Sequence, residues 1–542
     1  MEHKTDDRKS MRHRVAGRVV WRAALAGAAL LLPPAMARAQ RIGIWSIPGG
    51  NPQHDNWQPV EMKLSSATVP SGFKFLWKVK LGQDTSNPRS FTEPLLQPGL
   101  ITGHGFKDMV LWADSETVYS VDSELGTLIW KRDFNLPQQE KGPCAGANLQ
   151  ILIDPPRVIH FGAPRAPGAP PVRFVHPRPI PPGERRVGDA SSGGFGIRGL
   201  FVLTSDGMLH EQIMATGKDY APPVNFLPTP AGAYSALNKS GSTIYVAAGD
   251  GCTGVPNAVW SIDLSTSADR VGSYRTASVP VWNPAGPAAG MNGEIYVQTF
   301  EGRKASTDSH PNSIVGLEAN DLKVTDWFTP ARTGKGAAHG AGPIAFSYKG
   351  QELIAALDAE GRIVVLQSGS LGGADHHTPL VETDPLIGKV RGRAEKDAWE
   401  GLASWTDRGG VPWIFVSISG EAARGLKFAA SNGPAPHGSV LAFKLQEQDG
   451  KLALVPGWIS RDLVHPAPPA VANGVVLALS GGDGSRRAML YALDGASGKA
   501  LYSSGDSIDG STGGNGMSVG GGHVFFTTED NTLYSFGIPL EH

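Results

Sequence analysis

VYSVDSELGTLIWKRD, residues 118–133, reads as two strands and the turn between them. Alternation puts Val118, Ser120 and Asp122 on one face and Tyr119 and Val121 on the other. A short turn closed by Gly126 reverses the chain, and the run TLIWKRDF forms the next strand. The same phrase returns as LYALDGASGKALYSSGD at 490–506. Weaker copies lie at 211–228, 258–276, 313–330, 362–382 and 439–460, and a truncated one, TLYSFGIPLEH, at 532–542. The copies usually fall about fifty residues apart, a period typical of propeller blades.

Each copy has two further strands upstream, such as PAVANG and VVLALSG before the copy at 490–506. A unit is therefore four short strands, a to d from the centre outward. Seven units are complete, and the last has a, b and c only. FKFLWKVKL (73–81) resembles TLIWKRDF, with Trp77 in the part of Trp130, and supplies the missing outer strand. The expected fold is all-β: an eight-bladed β-propeller of four-stranded antiparallel blades, closed by the N-terminal strand joining the C-terminal blade.

The chain of 542 residues is long enough for such an array, and its 69 Gly and 42 Pro suit one rich in turns. A formal net charge of −1 gives no support for nucleic-acid binding. Arg12, Arg14, Arg18 and Arg22 precede the apolar run AALAGAALLLPPAMA, and Ala37 and Ala39 offer small residues at a cleavage site. Residues 1–39 read as a secretory signal peptide, which leaves Gln40 first; an uncleaved N-terminal anchor is the alternative. No other apolar run is long enough for a membrane span. Residues 40–72 are a lead-in and 73–542 a single propeller. A Pro-rich, basic insertion at 155–194 reads as an extended arm suited to docking a partner. The protein is expected to be an exported, periplasmic or secreted, monomer.

VYSVDSELGTLIWK and LYALDGASGKALYS resemble the repeat of pyrroloquinoline quinone (PQQ) propellers, found in quinoprotein alcohol dehydrogenases. The resemblance covers nearly all of the mature chain. SLGGADHHTPL (370–380) and LYSFGIPLEH look like segments of uncharacterised bacterial PQQ-like repeat proteins. It implies the fold more strongly than the function. Catalytic members carry adjacent disulfide-bonded cysteines against the PQQ ring, and this chain has no Cys-Cys, no matching calcium-ligand motif and no cytochrome segment. The same propeller serves non-catalytic proteins, among them a lipoprotein of outer-membrane assembly. The repeat's Trp77, Trp130, Trp327 and Trp458 are expected to pack between blades.

Chemistry is expected where the d-to-a and b-to-c connections meet, here called the loop face. Its long loops are 301–312, 481–487 and 420–438. Cys144, Asn148, Tyr234, Asn283, His339, Trp399, Glu400, His465 and Asn515 fall at or just before the starts of inner strands. A flat quinone with Ca²⁺ needs an aromatic floor and oxygen ligands. Trp399 suits the floor; Asn515, Asn148 and Glu400 suit some of the rest, with His339 and His465 beside them and Glu400 as the candidate base. The bland alternative is polar groups hydrating the channel mouth. Cys144 and Cys252 are placed on this face of neighbouring blades and expected to pair. Asp375, His376 and His377 tempt a metal reading, but adjacent histidines of a strand diverge and the stretch aligns with a c-to-d turn. Two functions follow: a scaffold holding a small molecule or protein on the loop face, or a PQQ-dependent dehydrogenase of alcohols or sugars with an atypical site.

Overall fold

In the computed structural model the described residues are 43–81, 91–102, 105–136, 149–154, 199–227, 233–249, 256–265, 270–281, 283–302, 309–331, 341–387, 399–512 and 516–539. They form eight small, essentially antiparallel sheets in chain order, the blades of a propeller. Blade 1 is Leu95–Thr102, Gly105–Ala113, Thr117–Asp122 and Leu128–Asp133, so the opening phrase is its outer half. The inner strands of the next blades are Gln150–Ile153, Asn238–Ser240, Ala288–Ala289, Ile344–Tyr348, Trp399–Thr406, Ala470–Ala472 and Ser518–Gly520. One short α-helix is found among the described residues, Val69–Gly72.

Closure follows the sequence reading. Lys74–Lys80 is the outer strand of blade 8 and runs antiparallel to Thr532–Gly537, with Trp77 opposite Ser535. An early strand and the last strand thus share one sheet, which closes the circle of blades.

The repeat's turn has a fixed form. Gly126, Gly217 and Gly498 take left-handed φ values of 66°, 67° and 71°, and each donates its N–H to the carbonyl four residues earlier. An indole from the preceding blade lies on each: Trp77 on Gly126, Trp130 on Gly217 and Trp458 on Gly498. Any β-carbon there would meet the ring, within 2.6 Å at Gly126 and Gly217. The indole N–H reaches a carbonyl of the same neighbour: Ser123 at 3.0 Å, Met214 at 2.9 Å and Gly495 at 2.9 Å. These three tryptophans pack between blades as the pattern predicted.

Trp327 does so differently. It stacks on His376 of blade 5 (centroids 3.8 Å apart, 12° between planes), and the His310 ring is also against it, tilted, at 4.4 Å. The residue in register with Trp130 is Asp326, whose carboxylate takes the Leu371 N–H at 2.6 Å and faces His376 Nδ1 at 3.0 Å. Gly373–Asp375 is a 3-10 turn, so the His-His stretch is a turn that docks blades 4 and 5.

One expected loop is not a loose one. Ala430–Ser431, inside 420–438, adds a strand parallel to Trp458–Ile459 at the outer edge of blade 6. Asn432 Nδ2 then donates to Ile459 O and Ser497 O, each at 3.0 Å, which ties blade 6 to blade 7. Apolar Ala, Leu and Phe positions in the loop give it a packing face, with Phe428 edge-on to Phe443.

Candidate functional site

The central channel holds the chain's own N-terminal segment. Residues 44–58 travel once around its wall and meet all eight blades in order. Trp45 exchanges two backbone bonds of 3.0 Å with Leu96 of blade 1. Ile153 N–H of blade 2 donates to Ser46 O at 2.8 Å. Asn238 Nδ2 of blade 3 and Ala289 N–H of blade 4 both reach Pro52 O, at 2.8 and 2.7 Å. Ala345 of blade 5 donates to Gln53 O at 3.0 Å, Ser404 of blade 6 to Asp55 O at 2.8 Å, and Val471 of blade 7 to Asn56 O at 2.8 Å. Gln58 Nε2 closes the circuit, donating at 3.1 Å both to Val519 O of blade 8 and to Ile44 O.

Turn-forming residues make this path possible. Gly49 and Gly50 are left-handed, at φ 81° and 89°, as are His54 and Asn56, at 55° and 53°. The ring lies toward the a-to-b end of the channel. Its continuation binds an a-to-b turn of blade 8: Gly522 N–H donates to Glu61 Oε2 at 2.9 Å, and Lys63 Nζ to Gly521 O at 3.0 Å.

Three titratable groups sit on the ring or against it. Glu93, just before the inner strand of blade 1, accepts from Trp45 Nε1 at 2.7 Å and from Gly49 N–H at 2.9 Å through one carboxylate oxygen. Its other oxygen lies where a β-carbon on Gly516 would stand, so any larger residue there must displace the Glu93 carboxylate. Asp55 accepts from Asn51 Nδ2 at 2.7 Å and Trp57 N–H at 2.9 Å. Desolvation lifts both carboxyls to about 7, against the lowering effect of those bonds. Desolvation also lowers His54 to about 4, so its imidazole is neutral at pH 7. His54 Nε2 is 3.2 Å from Asn238 Nδ2, while its buried Nδ1 has no partner among the described residues. Groups poised near neutral pH are what acid–base chemistry or proton-linked binding requires.

The ring and Glu93 escaped the sequence reading, which took 40–72 as a lead-in. The available signal was GGNPQHDNWQP, dense in Gly, Pro, Asn and Asp immediately before a strand.

The residues singled out from the sequence are distributed as follows. Trp399 and Glu400 open the inner strand of blade 6, and Trp399 pairs with Ile418. Their side chains, and residues Asn148, His339, Asn515, Cys144 and Cys252, lie outside the described residues. His465 is exposed, with φ 45°, in the connection from blade 6 to blade 7. Tyr234 and Asn283 are buried, and Asn283 Oδ1 accepts from Gly286 N–H at 2.9 Å, closing its own turn.

No protein-family model and no curated protein matches the chain. Solved structures do. A quinohemoprotein alcohol dehydrogenase from Pseudomonas putida HK5 is similar over 92% of this chain and 81% of its own, with TM-score 0.54 and 13% identity. One from Comamonas testosteroni matches over the same shares with TM-score 0.53 and 13% identity. A europium-containing methanol dehydrogenase covers 91% of this chain and 98% of its own, with TM-score 0.53 and 12% identity. At such identities the likeness shows the fold.

That fold raises the question of a quinone with its metal ion. Among the described residues no cofactor or metal site is shown, and the side chains of Asn148, His339, Trp399, Glu400 and Asn515 are not among them. At the level of the ring, inner-strand N–H groups of six blades are taken by the ring's own carbonyls or by Trp45 and Ser46. Among the described residues, no three His, Cys, Asp or Glu side chains group to hold a metal ion. No helix among them is long and apolar enough to cross a membrane.

Proposed function

We propose that the chain is an exported binding propeller that holds a small molecule or a protein at its loop face. Export removes residues 1–39, and Cys144 pairs with Cys252 on that face. The observation that supports this reading is the ring. The channel is girdled near its a-to-b end by the chain's own backbone, and Glu93 is bonded to that girdle. Partly buried carboxyls that carry a proton near pH 7 favour a ligand with hydrogen-bond donors and acceptors over a bare cation.

The second reading is a PQQ-dependent dehydrogenase of alcohols or sugars in the periplasm. The observation that favours it is the pair of carboxyls near 7, suited to removing a proton from a hydroxyl. In that reading Glu93 joins Glu400 as a candidate base.

The deciding experiment mixes the purified exported protein with PQQ and Ca²⁺ and follows quinone absorbance and alcohol- or sugar-dependent dye reduction. The expected result is no turnover. Turnover that is lost in Glu93→Gln or Glu400→Gln establishes the dehydrogenase instead. Glu93→Gln also has a signature independent of activity. The native state keeps a proton on Glu93 that the unfolded chain releases, so this group makes stability fall as pH rises from about 4.5 to about 7, then level off. Glutamine keeps the acceptor for Trp45 and Gly49 and removes that fall, by roughly 1–2 kcal/mol at pH 8. Urea unfolding at pH 5 and pH 8 measures it.

A further inference from the structure

The loop face is not where the molecule exposes its apolar side chains. Five of the large hydrophobics exposed among the described residues gather at blades 8 and 1, toward the opposite face: Val60, Met62, Phe106, Leu125 and Leu128. Met62, Leu125 and Phe106 stand out, at 66%, 64% and 77% exposure. Direct bonds join the segments that carry them. Residues 60–63 lie on the a-to-b turn of blade 8, where Gly522 N–H donates to Glu61 Oε2 at 2.9 Å and Lys63 Nζ to Gly521 O at 3.0 Å. The next residue of that blade, His523, stands 3.3 Å from Glu124, the neighbour of Leu125. Ser123 N–H donates to Asp108 O at 2.8 Å, which brings in the hairpin that carries Phe106. The other exposed large hydrophobics come singly from blades 2, 3, 4 and 5. Single ones need no explanation, whereas a joined group marks a surface that meets something.

The charge of this sector says what it meets. Its segments carry four carboxylates, Glu61, Asp108, Asp122 and Glu124, against two lysines, Lys63 and Lys107. Glu61 is spent on Gly522 N–H, and Asp122 on Lys107 Nζ at 2.6 Å. Among the described residues no lysine or arginine stands within ion-pair distance of Asp108 or Glu124. Asp108 accepts from Gly99 N–H at 2.6 Å, and Glu124 faces the His523 ring. Burial, and after it repulsion from Glu124 and Asp122, holds Asp108 above the ordinary carboxylate range in spite of its bond from Gly99. The sector is therefore apolar and short of a cation. A second copy in a twofold contact would set these carboxylates against themselves. An anionic lipid surface would repel them. We propose that this sector docks a basic, apolar segment of another protein, which sets apolar side chains on Met62, Phe106 and Leu125 and a Lys or Arg between Asp108 and Glu124.

The test uses two fluorescent synthetic peptides with the same leucines, one with lysine and the other with glutamate at the polar positions. Fluorescence anisotropy with the exported protein should show the lysine peptide binding at least about tenfold tighter. The triple variant Met62→Ser, Phe106→Ser, Leu125→Ser should weaken that binding roughly tenfold. Its unfolding midpoint should stay put, since all three side chains are exposed. Asp108→Asn with Glu124→Gln keeps the shapes and the acceptor for Gly99, and should cost the lysine peptide about threefold at low salt and less at high salt. Four results overturn the proposal: no binding of the lysine peptide, equal binding of both peptides, a triple variant that binds like the parent, or a charge variant that does. Light scattering that shows the parent dimeric and the triple variant monomeric also overturns it, because a second copy is then the occupant. So does a parent that sediments with phosphatidylglycerol vesicles where the triple variant does not, because lipid is then the occupant.

Discussion

The seam between blades 6 and 7 and the seam between blades 3 and 4 fill the same space from opposite sides. At the first, the outer strand supplies Trp458 and the neighbour's turn supplies Gly498. At the second, the outer strand supplies Gly272 and the turn supplies Leu322. Leu322 has the turn's backbone form, with φ 55° and its N–H on Glu318 O at 2.9 Å, yet it is a leucine 98% buried among residues of both blades, Tyr274 included. Asn320 O of the same turn lies 3.9 Å from where a Gly272 β-carbon would be. Either blade can therefore provide the large side chain that fills a seam. A left-handed leucine is strained relative to glycine; burial of its side chain offsets the strain by about 2 kcal/mol.

Three substitutions probe that equivalence. Trp458→Ala should be the most damaging, at about 3–5 kcal/mol, because it empties the seam and strips Gly495 O of its donor. Urea unfolding with a probe at blade 6 measures it. Leu322→Gly comes next, at roughly 2 kcal/mol: the lost side chain costs more, and the relieved backbone returns part of it. If Leu322→Gly proves as mild as a surface change, the inverted seam is not held by that leucine and the comparison breaks. His376→Gly should be the smallest effect, within about 1 kcal/mol of the parent. It loses the stack on Trp327 and the contact to Asp326 but relaxes φ from 58°. A large loss there would show that the imidazole–carboxylate pair, rather than apolar volume, joins blades 4 and 5.

Blade count, closure and the Trp–Gly seams were legible because each rests on local words: Trp130 and Gly126 recur as Trp458 and Gly498 at fixed offsets. The inverted seam was not, since Gly272 and Leu322 are informative only once their blades are known to be neighbours. Trp327 packs between blades as expected, but in a different way: it stands one residue past the position of Trp130, and Asp326 holds that register. Among the site candidates, Tyr234, Asn283 and His465 lie near inner-strand starts, and Asn283 spends its side chain on its own turn. Glu93 and the ring stayed hidden because their partners are set by closure of the whole molecule, as with Gln58 and Val519, which no local spacing encodes.

The ring also governs when this protein can finish folding. Gln58 emerges among the first residues made, yet one of its acceptors, Val519, is 461 positions further on. Blades can form one by one as they appear, since their strands are neighbours in sequence. The ring and the outer strand of blade 8 must wait for the last twenty-five residues, from Ser518 on, which makes the final step slow and strongly non-local. A chain whose early wall segment is satisfied last has no complete channel wall until its final blade is in place.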